Sequence, residues 1–207
     1  MPSKYYTRNF KPQHFYHVFN RGSYRHKIYK DKEDYHIFTE ILAYYLKFPR
    51  TRHFAYQKKV NKFQDRNLEK EPTVHLVAYC QMPNHYHLLL KQLPTATEKT
   101  NISNLIRRLI VAYSIHFRNK YKHTGSLFEG KFKCVTVDSS EQLIYLSKYI
   151  HKHQTTHSSL SIFLKATKTL NWLYPQYITE KVDNYYQFFN SPISEANIEK
   201  IKSLIID

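Results

Sequence analysis

The sequence predicts an α+β fold: a βαββαβ antiparallel sheet with helices packed on one face, followed by a C-terminal helical extension. Three observations predict it. Short runs at 14–20, 74–81 and 85–90 carry the alternation or apolar content of strands. Longer runs after Asp31, Asn101 and Ser139 repeat their apolar residues at helical spacing. Their order along the chain is strand, helix, strand, strand, helix, strand, helix.

The elements follow in turn. His14 to Asn20 reads as a strand that enters an Arg21-Gly22 turn. Asp31 and Asp34 open a helix whose apolar positions are Tyr35, Phe38, Ile41, Leu42 and Tyr45. Residues 47–73 are polar and highly charged, with Pro49 and Pro72 near the ends, and read as a long loop. Arg50, Arg52, Lys58, Lys59 and Lys62 could meet phosphates there; a solvated insertion without a role is an equal reading. Val74, Leu76, Ala78 and Cys80 alternate and are expected to share one strand face. Met82-Pro83-Asn84 is a turn, and His85 to Leu90 is the hairpin partner.

A second long helix starts at Asn101 or Ser103. Its buried stripe is Ile102, Leu105, Ile106, Leu109, Ile110, Tyr113 and Phe117. Thr124-Gly125 is expected to end it. The later half of 126–137 reads as a strand. Asp138-Ser139-Ser140-Glu141 starts a helix with the stripe Leu143, Leu146 and Ile150. Beyond His157 the pattern weakens, apart from a last helix from Ser194 with Ile198, Ile201 and Leu204 facing inward. The expected division is a catalytic domain at 1–157, with the charged loop at 47–73, and a helical extension at 158–207.

The chain carries 32 Lys plus Arg against 16 Asp plus Glu, a formal charge of +16. A surplus of that size favours a polyanionic partner. The basic residues are spread along the chain among 19 Tyr and 13 Phe, a mixture that suits unpaired bases better than a membrane surface. Cys80 and Cys134 are too few for a secreted disulfide scaffold and are expected as buried free thiols. The N-terminus lacks an apolar signal core and no run is long enough to span a bilayer, so a cytoplasmic location is expected.

His85 and His87 stand two apart on a strand, so they share a face about 6.6 Å apart along it and could converge on one cation. Tyr86 points the other way, into the core. In a chain with 13 His such a pair also arises by chance, so spacing alone leaves a structural role open. Tyr149 and His153 are one helical turn apart, with about 5–6 Å between Cβ atoms. The pattern suits phosphodiester chemistry. A phenol with a pKa of about 10 is a poor nucleophile near neutrality and needs a cation to polarise the phosphate. His151 lies on a different helix face from Tyr149 and ranks low as a base. On spacing alone, the reading of Tyr149 as an ordinary interfacial aromatic among 19 tyrosines is favoured, and an exposed helix residue is the default for His153.

Met82-Pro83-Asn84-His85-Tyr86-His87-Leu88-Leu89-Leu90 resembles the histidine motif of the single-tyrosine HUH transposases, in their REP-associated tyrosine transposase branch. Tyr16 to Gly22, Gly125 to Lys133 and Tyr149-Ile150-His151 resemble three further motifs of that family in the same order. The resemblance covers about residues 16–153. It implies a ferredoxin-like fold, with His85 and His87 as ligands of Mg²⁺ or Mn²⁺. It also implies Tyr149 as the nucleophile that cleaves single-stranded DNA through a 5′-phosphotyrosine link, on hairpin or repeat substrates. Where the family carries Asn-Pro, this chain has His153 and Gln154. His153 is then the expected third ligand and Gln154 its alternative. Imidazole suits Mn²⁺ or Zn²⁺ better than Mg²⁺, so either the metal preference has shifted or catalysis is impaired.

Arg21, Lys131 and Lys133 within the motifs, and Arg107, Arg108 and Arg118 on the second helix, are the expected DNA contacts. A solvated helix face is an equal reading for any one of the latter. Related enzymes occur as monomers and as dimers, so a homodimer is open. Two other functions are open as well: a domesticated protein that holds structured DNA without cutting it, and a metal-dependent phosphoesterase or RNA nuclease that uses water.

Overall fold

The computed structural model describes residues 9–50, 71–152, 157–165, 170–202 and 204. Four strands, β1 (Phe15–Arg21), β2 (Val74–Met82), β3 (His85–Gln92) and β4 (Lys133–Val137), form one sheet in the order β2-β3-β1-β4. All three pairings are antiparallel. Helix α1 (Lys32–Lys47) connects β1 to β2, and α2 (Ile102–Tyr121) connects β3 to β4. This is the βαββαβ connectivity expected from the sequence, in the ferredoxin-like strand order.

Strand alternation divides the structure into two cores. Tyr16 and Val18 of β1 and Tyr86, Leu88 and Leu90 of β3 are buried in one cluster with Phe38, Ile41, Leu42 and Tyr45 of α1. Ile102, Leu105, Ile106, Leu109 and Tyr113 of α2 complete it. Both crossover helices therefore lie on one face of the sheet. Each large apolar side chain sealed there contributes about 1.5–3 kcal/mol.

The opposite face is covered too. Helix α3 (Ser140–Lys152) lays Leu143, Leu146 and Ile150 against Ala78, Cys80, Leu89 and Val137. Four short helices follow: α4 (Leu160–Lys165), α5 (Gln176–Thr179), α6 (Tyr185–Asn190) and α7 (Glu195–Lys202). They add Phe163, Ile178, Tyr185 and Ile201 to the second cluster, and Leu204, just beyond the last helix, joins it. The segment before α4 runs along edge strand β2, with Gln81 N–H donating to the His157 carbonyl at 3.0 Å. Tyr174 N–H donates to the Leu76 carbonyl at 2.8 Å. These contacts shield an otherwise open sheet edge.

Three local expectations change. A bulge between Leu76 and Ala78 breaks the alternation of β2. Val74 and Leu76 join the first core, while Ala78 and Cys80 join the second, so the four do not share a face. Helix α2 ends at Tyr121 on Lys122, which takes the left-handed conformation (φ 51°), rather than at Thr124-Gly125. Ile198 is 43% exposed, whereas Ile201 and Leu204 are buried as expected. Both cysteines are buried and free.

The start of α1 shows why the sequence signal there was reliable. Asp31 caps the helix and Asp34 returns the bond, a capping box. Asp34 is fully buried and accepts from Lys30 N–H (2.7 Å), Tyr121 Oη (2.8 Å) and Lys120 Nζ (3.1 Å). Burial alone would raise its pKa; these bonds and one from His116 more than offset that and hold the carboxyl below its usual range. The cluster ties the entry of α1 to the exit of α2.

Candidate active site

One end of the sheet is laced together by the backbone. The β2–β3 turn presents the Pro83 carbonyl to Ile28 N–H and Tyr29 N–H, at 2.8 and 3.1 Å. The Asn84 carbonyl accepts from Gly22 N–H at 2.8 Å, and the Arg21 carbonyl from Glu129 N–H at 2.8 Å. Gly22 is needed for this approach: a Cβ there would lie 2.3 Å from the His26 carbonyl oxygen and 2.8 Å from Ile28 Cγ2. Between these segments opens a cleft of about 190 Å³, lined by Phe19, Asn20, Arg21, Arg25, Asn84, His85, His87, Glu129 and Lys133.

His85 and His87 both line this cleft, on the sheet face away from α1 and α2. Their ring centroids are 5.0 Å apart with planes at 86°. His85 is half-buried and its Nδ1 donates to Asn84 Oδ1 at 2.6 Å. His87 is 2% exposed and its Nδ1 lies 2.9 Å from His17 Nε2. With both Nδ1 atoms committed, Nε2 is the nitrogen each ring can bring to a cation. The donor set therefore suits a divalent ion. Among the described residues, no group of three or more His, Cys, Asp or Glu is arranged to hold a metal. His153 and Gln154, the expected third ligand and its alternative, lie outside the described residues. Tyr86 points into the first core and is fully buried, as its register required.

Helix α3 brings Tyr149 to the same place. Its stripe Leu143, Leu146 and Ile150 docks on the second core and leaves Tyr149 half-buried beside His87. The two ring centroids are 6.1 Å apart, edge to face at 88°. His151 points elsewhere. It is 1% exposed, with Nδ1 2.8 Å from Tyr185 Oη and Nε2 2.8 Å from Ser159 Oγ. Burial pushes its pKa down to about 3, so it is a neutral structural residue.

The expected DNA contacts divide. Arg21 and Lys133 line the histidine cleft, where Arg21 Nε meets Glu129 Oε2 at 2.9 Å. Lys131 is exposed on the loop between the cleft-lining Glu129 and Lys133. Arg107 and Arg108 stand in the first turns of α2, near the far end of β3, where Gln92 Oε1 accepts from Ile102 N–H. There they line a separate hollow with Arg50 and Lys99. Arg107 is exposed and held by Asn104 Oδ1 at 2.9 Å. Arg108 donates to the Pro49 carbonyl at 2.6 Å and covers the Tyr45 ring at 4.0 Å from its centroid. Arg118 is exposed towards the other end of α2. Of the charged-loop candidates only Arg50 is described; Arg52, Lys58, Lys59 and Lys62 lie outside the described residues.

Sequence reasoning missed Arg25 and His17. Arg25 lines the cleft from a short 3₁₀ turn, Ser23–Arg25, with positive φ at Tyr24 and Arg25. Nothing in its neighbours marks it. His17 had a signal: it sits inside the first motif at an odd position of β1, the parity of the cleft face.

This chain belongs to the family of IS200-like transposases, which matches residues 11–153. A solved structure of a REP-associated tyrosine transposase bound to a REP hairpin superposes with a TM-score of 0.52 over 81% of this chain and 89% of that one. At 12% identity the likeness shows a shared fold. A protein from Deinococcus radiodurans, described as a transposase, aligns over 73% of this chain and 98% of its own at 19% identity, with a TM-score of 0.39. No curated protein matches the chain. Among the described residues, no helix is long and apolar enough to cross a membrane.

Proposed function

We propose that the protein nicks and rejoins single-stranded DNA, with Tyr149 as nucleophile and hairpin or repeat DNA as substrate. The observation that carries this reading is the meeting of a histidine pair on β3 with a tyrosine from a helix 62 positions later. Tyr149 of α3 lies against His87, which with His85 lines a cleft rimmed by Arg21, Arg25 and Lys133. The hairpin bound to the REP-associated relative supports the substrate class.

In the proposed reaction the Tyr149 Oη–phosphorus bond forms as the bond to the 3′ oxygen breaks. The DNA keeps its 5′ phosphate on the tyrosine. The proton lost by the phenol is balanced by the one gained at the released 3′-hydroxyl. Attack by another 3′-hydroxyl reverses these changes and joins two strands. Arg21, Arg25 and Lys133 hold the phosphates as charged donors. His85 and His87 would hold a divalent cation, Mn²⁺ or Mg²⁺, which supplies charge stabilisation at the phosphate when bound.

The substituted position His153 favours a second reading, a relative that holds structured DNA without cutting it. The two readings separate in one experiment. The protein is incubated with hairpin oligonucleotides copied from the DNA flanking its gene, with Mn²⁺, and denatured. A covalent protein–DNA band that disappears in Tyr149→Phe is the expected result. Binding with no adduct points to the second reading. Cleavage that survives Tyr149→Phe would replace the tyrosine with water and overturn the proposal.

A further inference from the structure

His17 is fully buried in the middle of β1, between the sheet and the C-terminal segment. Its Nδ1 lies 2.6 Å from the backbone carbonyl oxygen of Leu204, and its Nε2 lies 2.9 Å from His87 Nδ1. The His17 and His87 rings are stacked, 5.1 Å between centroids at 18°. Leu204, at the far end of the chain, is itself buried in the second core.

A carbonyl oxygen only accepts, so the His17 Nδ1 carries its proton. In a neutral imidazole the Nε2 is then a lone pair, and it can only accept. His87 Nδ1 must therefore be the donor in the bond between the two rings. That leaves the lone pair of His87 on Nε2, as a metal ligand requires. With the opposite assignment, His87 Nε2 would carry a proton and could not ligate.

We infer that His17 is a positioning residue for the metal site: it relays the Leu204 carbonyl to His87 and fixes His87 in the Nδ1–H tautomer. The C-terminal segment thereby helps set a ligand that lies 117 positions earlier in the chain. This inference rests on the reading of His85 and His87 as metal ligands. Outer partners of this kind commonly change metal affinity by about 10–100-fold when removed.

The test uses the full-length chain and Mn²⁺ alone, without DNA. Mn²⁺ affinity is measured by titration calorimetry or by the loss of the free-ion paramagnetic signal, beside thermal unfolding of each variant. His17→Phe, which cannot accept from His87, is expected to weaken Mn²⁺ by about 10–100-fold. His17→Gln offers an amide oxygen to His87 Nδ1 and is expected to recover much of that loss. It also keeps the comparison open where the phenylalanine variant does not fold. Nitrogen-15 spectra of the imidazoles report the tautomer directly: His87 as Nδ1–H is expected, and His87 as Nε2–H overturns the inference. Loss of Mn²⁺ binding in His87→Ala with undiminished binding in a folded His17→Phe overturns the positioning role alone. Undiminished binding in His87→Ala overturns the metal-site reading as well.

Discussion

Tyr149 meets His87 edge-on, with ring centroids 6.1 Å apart and planes at 88°. One residue comes from a strand and the other from a helix 62 positions later, and neither element alone defines a site. Their roles differ from their costs. His87 is buried and bonded to His17, whereas His85 is half-buried and bonded to its neighbour Asn84. Removing the His87 ring strands a buried imidazole nitrogen on His17. His87→Ala should therefore cost about 1–3 kcal/mol of folding stability. His85→Ala should cost less than about 1 kcal/mol. Both should lose the covalent DNA adduct. Denaturant unfolding beside the adduct assay checks this, and equal stability losses would contradict the burial argument.

Much of this arrangement was legible because it obeys local rules. Two-residue alternation placed His85 and His87 on one face and Tyr86 on the other, and the helical stripe of α3 left Tyr149 at its flank. The Asp31–Asp34 capping box announced the start of α1. The bulge in β2 was not legible, since one extra residue in a nine-residue strand leaves its composition unchanged. The first three short helices of the extension were not legible either, whereas the last, expected from Ser194, is present at Glu195–Lys202. Those three run from four to six residues and are held by packing into the second core, not by an apolar period of their own. His17 escaped notice because its importance lies in a bond to a carbonyl 187 positions away.

His151 makes the docking of the extension sensitive to acid. Its pKa falls from the ordinary histidine value to about 3 in the folded chain, through burial. Below about pH 6.5 the unfolded chain takes up a proton that the folded chain refuses. Stability contributed by neutral His151 is thus complete above that pH and is lost as pH falls, by up to about 1.4 kcal/mol per pH unit. His75, lowered to about 4 by burial and then by Lys91, acts with the same sign. Unfolding free energies measured at pH 7, 6, 5 and 4 should decline steadily, and His151→Gln should flatten the decline. An unchanged slope in that variant would remove His151 as the cause.

Gly22 links the fold to the cleft. An added methyl at this position collides with the backbone carbonyl of His26, which cannot swing aside as a side chain can. Gly22→Ala should lose about 1–3 kcal/mol of stability. The shift it forces also pulls on Asn84, through the Gly22 N–H bond, and on neighbouring Arg21. DNA binding and adduct formation should fall further than stability alone explains. Comparing Gly22→Ala with a cleft-remote variant of equal stability tests this, and equal activities would show that the turn serves folding only.

Salt dependence separates arginines proposed to meet DNA from those that hold the fold. Each phosphate contact on a single strand adds about 0.7 to the slope of log affinity against log salt. Arg25 and Lys133 line the cleft, so Arg25→Ala and Lys133→Ala should each reduce the slope by about that amount. Arg108 is also cationic, but its guanidinium covers the Tyr45 ring and caps the Pro49 carbonyl. Arg108→Ala should therefore cost about 0.5–2 kcal/mol of stability through the lost ring contact, with the slope unchanged. Binding to one hairpin oligonucleotide across a range of salt concentrations measures both quantities. A slope that drops in Arg108→Ala but not in Lys133→Ala would move the DNA path away from the histidine cleft to the start of α2.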